Sequence, residues 1–384
     1  MALTVGKIVE SLAGRRRAAA GWLAWAADQR GRPLIWIHAP SVGEALTAQP
    51  VARRLRMARP GSTIIFTHTS PSVQRWPLPF GADRVAYLPS GSRRVTDALF
   101  ARLEPAAVVF VRGDLWPSLV AMARRHGVPV LLIGGALGPR STRLLPPVRA
   151  MLRRAYASLQ WAGAVSAEDA TRLSLLGTRE SVITVTGDPR HDQILERPVS
   201  LSAARDILRW ATGDPVLIAG SAEPEDEGVL LRAHQIVTGK RPEARLVVVP
   251  HEPRPLHDAS PRDARVLYLT SVGTLADLYQ AAAIAYVGGG LKRRGLHNVA
   301  EPAAWGLPLL FGDGDGTLSE EANRVIAAGG AVSIPRRTAA DRLAAQWIRW
   351  LEEPSAARRA GLAARGTITG GAADRSAQAI LRFV

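Results

Sequence analysis

The most constraining feature of the sequence is a regular alternation of short apolar runs, rich in β-branched residues, with longer segments of helical pattern. This alternation is typical of a parallel sheet with helices on both faces, so it predicts the α/β class. The predicted helices include residues 116–126, 166–176, 224–237 and 371–383. The predicted strands are residues 34–37, 62–67, 84–88, 107–111, 128–133, 161–165, 182–186, 215–219, 245–249, 266–269, 284–287 and 307–311.

The alternation pauses once, over residues 189–200, which carry two prolines and charges of both signs. We interpret this stretch as a linker, because 384 residues are too many for one typical domain and enough for two. The sequence therefore predicts two domains, 1–192 and 193–384, each a doubly wound sheet, facing each other across a cleft. The last helix is expected to cross back onto the first domain.

Composition limits the class of protein and its chemistry. The chain has no cysteine, which excludes disulfides, thiolate metal sites and a cysteine nucleophile. Its net charge of +16 comes almost wholly from arginine and favours anionic partners, although a GC-rich genome also produces such a composition. No aromatic RNA-binding motif, zinc-finger spacing or long basic tail supports a nucleic acid partner.

The first helical segment allows two interpretations. It interleaves Trp22 and Leu12 with Arg15, Arg16 and Arg17, a pattern that suits either a membrane interface or a helix covering the sheet. No segment approaches the roughly 20 apolar residues of a membrane span, and no signal-peptide pattern is present. We therefore expect a cytoplasmic protein.

A carboxylate follows the first predicted strand. The turn after residues 34–37 contains Ser41 and Gly43, and Glu44 falls in the first turn of the next helix. The carboxyl ends of strands in open α/β sheets are where ligands bind, so Glu44 is a candidate acid or base. The alternative is that Glu44 only complements the helix dipole.

A second carboxylate occupies a similar position. Arg112, Gly113 and Asp114 follow the apolar strand at 107–111 and precede Trp116. Two carboxylates at neighbouring strand ends would be able to share a substrate hydroxyl. The alternative for Asp114 is a helix cap.

The stretch 286–302 is the most specific pattern in the second half. Three glycines close a strand, basic residues follow, and polar residues open a helix, which together indicate a nucleotide phosphate site. It is neither a P-loop nor the dinucleotide fingerprint. The candidate binding residues are Gly289, Gly290, Lys292, Arg294, His297, Asn298 and Glu301.

Two more strand-end loops in the second half are candidates for the same pocket. They contribute Ser221, His251 and Arg254. Asp313 and Asp315 imitate a metal-binding pair, but their glycine-rich surroundings favour a solvated turn. The histidines show no metal spacing in the sequence.

These motifs, taken together, resemble the 3-deoxy-D-manno-octulosonic acid (Kdo) transferase family, of which the chain looks like a divergent member. The matching pieces run from residue 34 to 330 in the family's order. They are Trp-Ile-His-Ala-x-Ser-Val-Gly-Glu at 36–44, Leu-Trp-Pro at 115–117, Val-Thr-Gly at 185–187, Ala-Gly-Ser at 219–221, and Gly-Gly-x-Leu to His-Asn-x-x-Glu-Pro at 288–302.

The resemblance implies a GT-B fold and an inverting glycosyltransferase that adds Kdo from CMP-Kdo to a lipid A precursor in lipopolysaccharide biosynthesis. It implies no metal and no cofactor, with Glu44 as the catalytic base. Our own interpretation of the residues adds Asp114 as a second acid. The expected acceptor-binding residues are Ser41, Gly43 and Arg112. The expected donor-binding residues are Ser221, His251, Gly289, Gly290, Arg294, His297, Asn298 and Glu301. The expected location is peripheral, on the cytoplasmic face of the inner membrane, in contact with its anionic surface.

The chain departs from the family pattern at its ligand loops. Residues 112–114 replace a Glu-Thr-Glu, and Ala136 stands where an arginine is usual. On the donor side, Ala-Glu-Pro at 222–224 replaces Thr-His-Pro, and Pro-His-Glu-Pro at 250–253 replaces Pro-Arg-His-Pro. Glu223 and Glu252 therefore replace basic residues. Two alternatives follow: a glycosyltransferase with another nucleotide-sugar donor, or a non-catalytic GT-B-fold protein that binds a membrane surface.

Overall fold

The chain forms two parallel sheets with helices packed around them, which confirms the α/β class. The computed structural model describes residues 5–26, 31–74, 81–89, 93–252, 263–270, 273–292 and 295–384. The chain divides into two compact units: Met1–Leu195 with Thr369–Val384 form the first unit, and Glu196–Ile368 form the second. The predicted boundary at 192/193 lies close to this division, and the C-terminal residues belong to the first unit.

The described strands are numbered in chain order. In the first unit they are β1 (Leu34–His38), β2 (Thr63–His68), β3 (Arg84–Tyr87), β4 (Pro105–Val111), β5 (Val130–Gly135), β6 (Trp161–Ala164) and β7 (Ile183–Val185). In the second unit they are β8 (Val216–Ala222), β9 (Arg245–Pro250), β10 (Val266–Tyr268), β11 (Ile284–Val287), β12 (Leu309–Gly312) and β13 (Ala331–Ile334).

The described helices are also numbered in chain order. They are α1 (Val5–Ala26), α2 (Val42–Ala58), α3 (Pro71–Gln74), α4 (Arg93–Leu103), α5 (Pro117–Arg125), α6 (Pro146–Tyr156), α7 (Ala167–Leu175), α8 (Pro189–Glu196), α9 (Leu201–Ala211), α10 (Pro224–Thr238), α11 (Leu275–Leu278), α12 (Ala300–Ala304), α13 (Glu320–Ala327), α14 (Ala339–Glu352), α15 (Pro354–Gly366) and α16 (Ala372–Leu381). Short 3₁₀ turns lie at Thr142–Leu144, Glu180–Val182, Tyr279–Ala281, Gly314–Gly316 and Arg336–Thr338.

Both faces of the first sheet are buried, which explains why its strands are apolar throughout. Alternate residues of β1 enter different clusters: Leu34 and Trp36 lie in one, and Ile35 and Ile37 lie in the other. Side chains of successive strand residues point to opposite faces, so a strand covered on both sides has no polar face. The second sheet likewise packs into two apolar clusters.

The strand order places the loops of interest at one edge of each sheet. The first sheet has the order β3-β2-β1-β4-β5-β6-β7, and the second has β10-β9-β8-β11-β12-β13. All described pairings are parallel. The order reverses at β1/β4 and at β8/β11, and ligands of doubly wound sheets bind at the carboxyl ends of strands beside such a reversal.

Helix α1 covers the first sheet. Trp22 is buried, its indole N–H donates to the carbonyl of Tyr87 over 2.9 Å, and its ring stacks on Trp36. These contacts support the sheet-covering interpretation of the segment. Leu12, Arg16 and Arg17 remain exposed on α1. No helix within the described residues has an apolar stretch long enough to cross a bilayer.

The division between the two units falls within residues 189–200, the predicted linker, but this stretch is not an irregular loop, because α8 occupies most of it. Pro189 begins the helix, and proline is well suited to a first helical position. Asp192 is buried and accepts hydrogen bonds from the backbone N–H groups of Gly371 and Ala373, over 2.6 and 2.9 Å. One of the charged residues of the segment, Asp192, is therefore not exposed to solvent and instead anchors the start of α16.

Candidate functional site

The predicted acceptor-side residues of the first unit come together at one edge of its sheet. Ser41, Gly43 and Glu44 follow β1, while Arg112 and Asp114 follow β4, which is the parallel neighbour of β1. The charges of Arg112 and Asp114 both act on Glu44. The sequence prediction that these two strand ends would be neighbours is confirmed.

Glu44 lies in the first turn of α2, beside the residue that precedes the helix. Ser41 has an extended backbone before that turn, and its hydroxyl donates a hydrogen bond to the Glu44 carboxylate. Burial raises the pKa of Glu44, and the negative charge of Asp114 raises it further; Arg112 and the backbone N–H of Glu44 partly oppose this. A carboxylate with a raised pKa takes up a proton more readily, as a general base must.

A sharp backbone turn and a hydrogen-bonded ion pair fix the position of Arg112. Its φ of 64° is left-handed, followed by 106° at Gly113, so the chain turns sharply at the end of β4. Its guanidinium donates to Asp188 over 2.9 Å. Burial alone would raise the pKa of Asp188, but Arg112 and Arg190 more than offset this and lower it. The buried carboxylate therefore fixes the cation that lies near Glu44.

Asp114 does not cap a helix, so that alternative is wrong. Helix α5 begins at Pro117, and Trp116 is the residue before it. The Asp114 side chain is 43% exposed and accepts a hydrogen bond from Arg143 over 3.4 Å. Its carboxylate is therefore accessible to solvent and to a ligand.

His38, at the end of β1, is buried and was not among the predicted site residues. Burial lowers its pKa to about 3, assisted by Arg15, and its ring packs edge-on against Phe110 and Trp116. Its Nδ1 lies 3.0 Å from the hydroxyl of Thr67. An imidazole with such a low pKa is a poor base. The contribution of His38 is therefore packing at the end of β1, before the turn that leads to Glu44.

The second unit places Ser221 in an unusual backbone conformation. Its φ is 53°, in the left-handed region that non-glycine residues rarely adopt, and the pairing of β8 with β9 shifts register between Gly220 and Ala222. Any side chain on Gly288 would overlap the backbone of Ser221, so the end of β8 and the start of the glycine run touch directly. This bulge brings the loop after β8 against the loop after β11.

Asp226 connects the two loops and was missed by sequence reasoning. It is 1% exposed and accepts three hydrogen bonds, from Tyr286 Oη over 2.7 Å and from the N–H groups of Gly289 and Glu223 over 2.9 Å each. The pattern Glu223-x-x-Asp226 at a helix start is the only sequence signal for this role. The buried carboxylate therefore fixes the positions of both loops.

A polar cluster forms on these loops. His297 Nε2 lies 3.1 Å from Glu223 Oε1, and Lys292 Nζ lies 3.4 Å from Glu223 Oε2. The ring of His251 stacks on that of His297, with centroids 4.0 Å apart. Burial alone would raise the pKa of Glu223, but the hydrogen bonds from His297 and Lys292 lower it.

The glycines of the run have a packing role. A side chain on Gly289 would meet the backbone of Gly295 and the ring of His297, and one on Gly290 would overlap the backbone of Gly312. The N–H of Gly289 is already bound to Asp226. Close backbone packing is therefore sufficient to explain why these positions are glycine, and their contact with a donor stays a prediction.

Asn298 and Glu301 form a pair at the start of α12. Asn298 Nδ2 donates to Glu301 Oε1 over 3.1 Å, and its Oδ1 accepts from the N–H of Ala300 over 3.0 Å. Burial, and then the charge of Glu301, raise the pKa of the Tyr279 hydroxyl. Arg294 and Arg254, both candidate residues, lie outside the described residues.

One group of possible metal ligands lies wholly within the second unit. The ligand atoms of Glu223, His251 and His297 lie within 4.8 Å of one another. The sequence spacing gave no sign of this group, because the three residues follow three different strands. Neither Glu44 nor Asp114 belongs to a candidate metal group among the described residues.

The family match and the two relatives described here carry the same name. The family described as 3-deoxy-D-manno-octulosonic-acid transferase (kdotransferase) matches residues 14–193. The chain is 30% identical over 370 residues to a 3-deoxy-D-manno-octulosonic acid transferase of Bordetella pertussis, covering 85% of this chain and 84% of that protein. It is 27% identical over 302 residues to the Haemophilus influenzae transferase of the same name, covering 72% of this chain and 70% of that protein.

The fold also has solved relatives. The UDP-GlcNAc 2-epimerase of Neisseria meningitidis superposes with a TM-score of 0.68 at 16% identity, covering 92% of this chain and all of that chain. A glycosyltransferase from Rickettsia africae superposes with a TM-score of 0.60 at 11% identity, covering 92% and 97% of the two chains. At this level of identity the similarity concerns the fold alone, and the fold is GT-B.

Proposed function

Because the chain belongs to the 3-deoxy-D-manno-octulosonic acid transferase family, we propose that it is an inverting glycosyltransferase that moves Kdo from CMP-Kdo to a lipid A precursor. The observation that carries the proposal is the environment of Glu44. This residue closes the Ser-Val-Gly-Glu motif at the end of β1, accepts a hydrogen bond from Ser41, and has a raised pKa beside Arg112. It is the group best suited to remove a proton in the first unit.

In the proposed reaction, Glu44 takes the proton from the acceptor hydroxyl. The acceptor oxygen forms a bond to the anomeric carbon of Kdo as the bond from that carbon to the phosphate oxygen of CMP breaks. CMP leaves with the electron pair of that bond. Attack from the side opposite CMP inverts the configuration at the anomeric carbon. Proton removal by a positioned base contributes roughly 10²- to 10⁴-fold to such a rate.

The other acceptor-side residues support this base. Ser41 orients the Glu44 carboxylate, Gly43 leaves the turn without a side chain, and Arg112 supplies a cation for an acceptor phosphate. Asp114 raises the pKa of Glu44 and, being partly exposed, is able to accept a hydrogen bond from the acceptor. None of these roles needs a metal, so proton removal is proposed to be metal-independent.

The donor nucleotide is proposed to bind the loops of the second unit. These loops follow β8, β9 and β11, which end at the same edge of the sheet, next to the reversal of strand order. The Glu301 carboxylate, oriented by Asn298, is suited to a ribose diol. The proposed donor-binding residues are Ser221, His251, Gly289, Gly290, Arg294, His297, Asn298 and Glu301.

We propose peripheral contact with the cytoplasmic face of the inner membrane. The charge of +16 favours an anionic lipid surface, and the exposed Leu12, Arg16 and Arg17 of α1 combine an apolar side chain with two cations. Co-sedimentation with vesicles containing 30% anionic lipid, compared with neutral vesicles, tests this contact. Equal binding to both kinds of vesicle would contradict it.

The test of the proposed base is Glu44→Gln, which keeps the shape of the side chain and removes its basicity. We expect kcat for transfer to fall about 10²- to 10⁴-fold while the Kd for CMP is unchanged. Glu168→Gln is a matched control, since Glu168 also lies in a first helical turn, that of α7, and is exposed. Turnover undiminished in Glu44→Gln would refute the role of Glu44.

A second candidate function keeps the transferase and changes the donor. The observation that favours it concerns Glu223. The carboxylate of Glu223 contacts Lys292 and His297 and so reduces the positive charge that is offered to a doubly anionic CMP-Kdo. Thermal shift with CMP, UDP and GDP separates the candidates. If the donor is CMP-Kdo, CMP should raise the melting temperature most. If the donor is another nucleotide sugar, UDP or GDP should raise it most.

A further inference from the structure

The side chain of Arg112 is bound to a buried carboxylate and not to the nearby Glu44. Arg112 follows β4 and Asp188 follows β7, and β5 and β6 lie between these strands in the sheet. The Arg112 guanidinium donates to Asp188 over 2.9 Å, and the Asp188 side chain is only 3% exposed. Within the described residues, no ion pair joins Arg112 to Glu44, although the charge of Arg112 acts on Glu44. The cation therefore lies near the base without forming an ion pair with it.

The backbone around Arg112 directs its side chain toward Asp188. Its φ of 64° lies in the left-handed region that non-glycine residues rarely adopt. The N–H of Arg112 donates to the carbonyl of Ile133 on β5 over 3.0 Å. The carbonyl of Gly113 accepts a hydrogen bond from the buried Tyr156 hydroxyl over 2.6 Å. Strained conformations persist where their surroundings hold them in this way, and they cluster at functional sites.

Gly134 packs between the Arg112 side chain and the helix that carries Glu44. A Cβ added to Gly134 would lie 3.8 Å from the Cδ of Arg112 and 3.4 Å from the Cγ2 of Thr47. Thr47 lies on α2, about one turn after Glu44. The φ of Gly134 is 56°, a conformation that favours glycine. The Arg112 side chain is therefore enclosed close to α2 on its way to Asp188.

The negative charge of Asp188 limits the effect of Arg112 on the base. Two charged groups act on Glu44: Arg112 lowers its pKa and Asp114 raises it. Removing one partner of a buried ion pair leaves the other charge uncompensated. Without Asp188, the guanidinium would act on Glu44 at full charge and would be able to turn toward it. Either change makes the Glu44 carboxylate less basic.

We propose that Asp188 is a positioning residue for the transfer reaction: it holds the Arg112 guanidinium beside Glu44 and prevents the two from forming an ion pair. Glu44 then stays basic, and the cation stays close enough to meet an anionic group of the acceptor. This role rests on the proposed function, in which Glu44 removes the proton from the acceptor hydroxyl.

Titration of the Glu44 carboxyl group by NMR tests the proposal directly, without donor or acceptor. The full chain is labelled with ¹³C at the side-chain carboxyl carbon of glutamate, and Glu44→Gln identifies the signal. Asp188→Asn keeps an oxygen for the N–H of Arg190 and removes the charge. In this variant the pKa of Glu44 should fall, and the acid limb of the kcat–pH profile should move to lower pH by about 1 pH unit or more.

Arg112→Gln breaks the same ion pair from the other side. Here the pKa of Glu44 should rise, because the cation is gone. Opposite shifts from the two variants are the signature of positioning, since a purely structural ion pair would disturb Glu44 in the same direction from either side. In the double variant Asp188→Asn/Arg112→Gln, the pKa of Glu44 should not fall below that of the parent chain, since Asp188 acts through Arg112.

Asp192→Asn is the matched control. Asp192 is just as buried as Asp188 and lies four residues further along the chain, but it contacts Arg54 and not Arg112. Its substitution should leave the titration of Glu44 unchanged. An unmoved titration in Asp188→Asn, or a fall that persists in the double variant, would overturn the proposal. Absence of transfer by the parent chain, with Glu44 titrating as expected in every variant, would refute the proposed function and not the control of Glu44 by Asp188.

Discussion

Asp226→Ala tests the claim that one buried carboxylate fixes the donor loops. The substitution leaves three donors without an acceptor: the hydroxyl of Tyr286 and the backbone N–H groups of Gly289 and Glu223. A buried donor that loses its partner costs about 1–3 kcal/mol. The three together predict a loss of about 3–9 kcal/mol in the free energy of unfolding of the second unit.

Asp226→Asn should cost much less. The amide oxygen can still accept the two backbone N–H groups, and the hydroxyl of Tyr286 can rotate to accept from the amide nitrogen. What remains is the loss of charge assistance in two hydrogen bonds, about 1 kcal/mol each. Adding Tyr286→Phe to Asp226→Ala should recover about 1–3 kcal/mol, because it removes one of the orphaned groups.

Two measurements check this series. Denaturant unfolding compares the three variants with the parent chain, and amide hydrogen exchange reports the opening of Gly289 and Glu223 directly. Exchange at both amides should accelerate in Asp226→Ala before global unfolding does. An Asp226→Asn variant as unstable as Asp226→Ala, or a double variant less stable than the single one, would refute the reasoning.

Three further substitutions test Asp114, Asp192 and the glycine run of the second unit. Asp114→Asn removes a negative charge that raises the pKa of Glu44, so the acid limb of the kcat–pH profile should move to lower pH. An acid limb that stays in place would show that the charge of Asp114 does not affect the base that titrates there. Asp192→Ala frees the N–H groups that start α16 and should cost roughly 2–4 kcal/mol, with faster exchange at those amides; normal exchange there would contradict it. Gly290→Ala should lower the free energy of unfolding by roughly 1–3 kcal/mol, because the added methyl group would overlap the backbone of Gly312. The control Gly228→Ala, in open space within α10, should raise it by about 0.5–1 kcal/mol. Equal unfolding midpoints for the two variants would contradict both expectations.

The sequence predicted the sheets well because local signals specify them. Every predicted strand overlaps an observed one, since strands buried on both faces read as continuous apolar runs. The predicted helix at 166–176 begins as predicted, with Ser166 as its cap, whose hydroxyl accepts from the N–H of Asp169. Strand β13 was missed, because four residues between paired glycines and Pro335 give little periodic signal.

The parts that failed depend on tertiary contacts. The stretch 189–200 contains the division between the units, but its prolines and charges hid the fact that it is largely helical and that Asp192 is buried to anchor α16. Asp226 looked like an ordinary acidic residue of a first helical turn, and two of its three donors, Tyr286 and Gly289, come from the neighbouring strand β11 and the loop after it. Such roles follow from which strands are neighbours, which a single sequence does not state.

The candidate site shows the same division. Glu44, Arg112 and Asp114 were predictable as a group, because each follows a strand and the order of those strands is regular. The cluster of Glu223, His251 and His297 was not, because 28 and 46 residues separate its members along the chain. The motif match drew attention to these loops, and the structure adds which side chains meet there.

Transfer of Kdo is measured by incubating the purified chain with CMP-Kdo and a tetra-acylated lipid A precursor and analysing the product by mass spectrometry. We expect a product heavier by one or more Kdo residues, formed with stoichiometric release of CMP and lost in Glu44→Gln. A precursor that remains unmodified by CMP-Kdo, while another nucleotide sugar is transferred to it, would contradict the proposed donor. The same product formed at full rate by Glu44→Gln would contradict the proposed base.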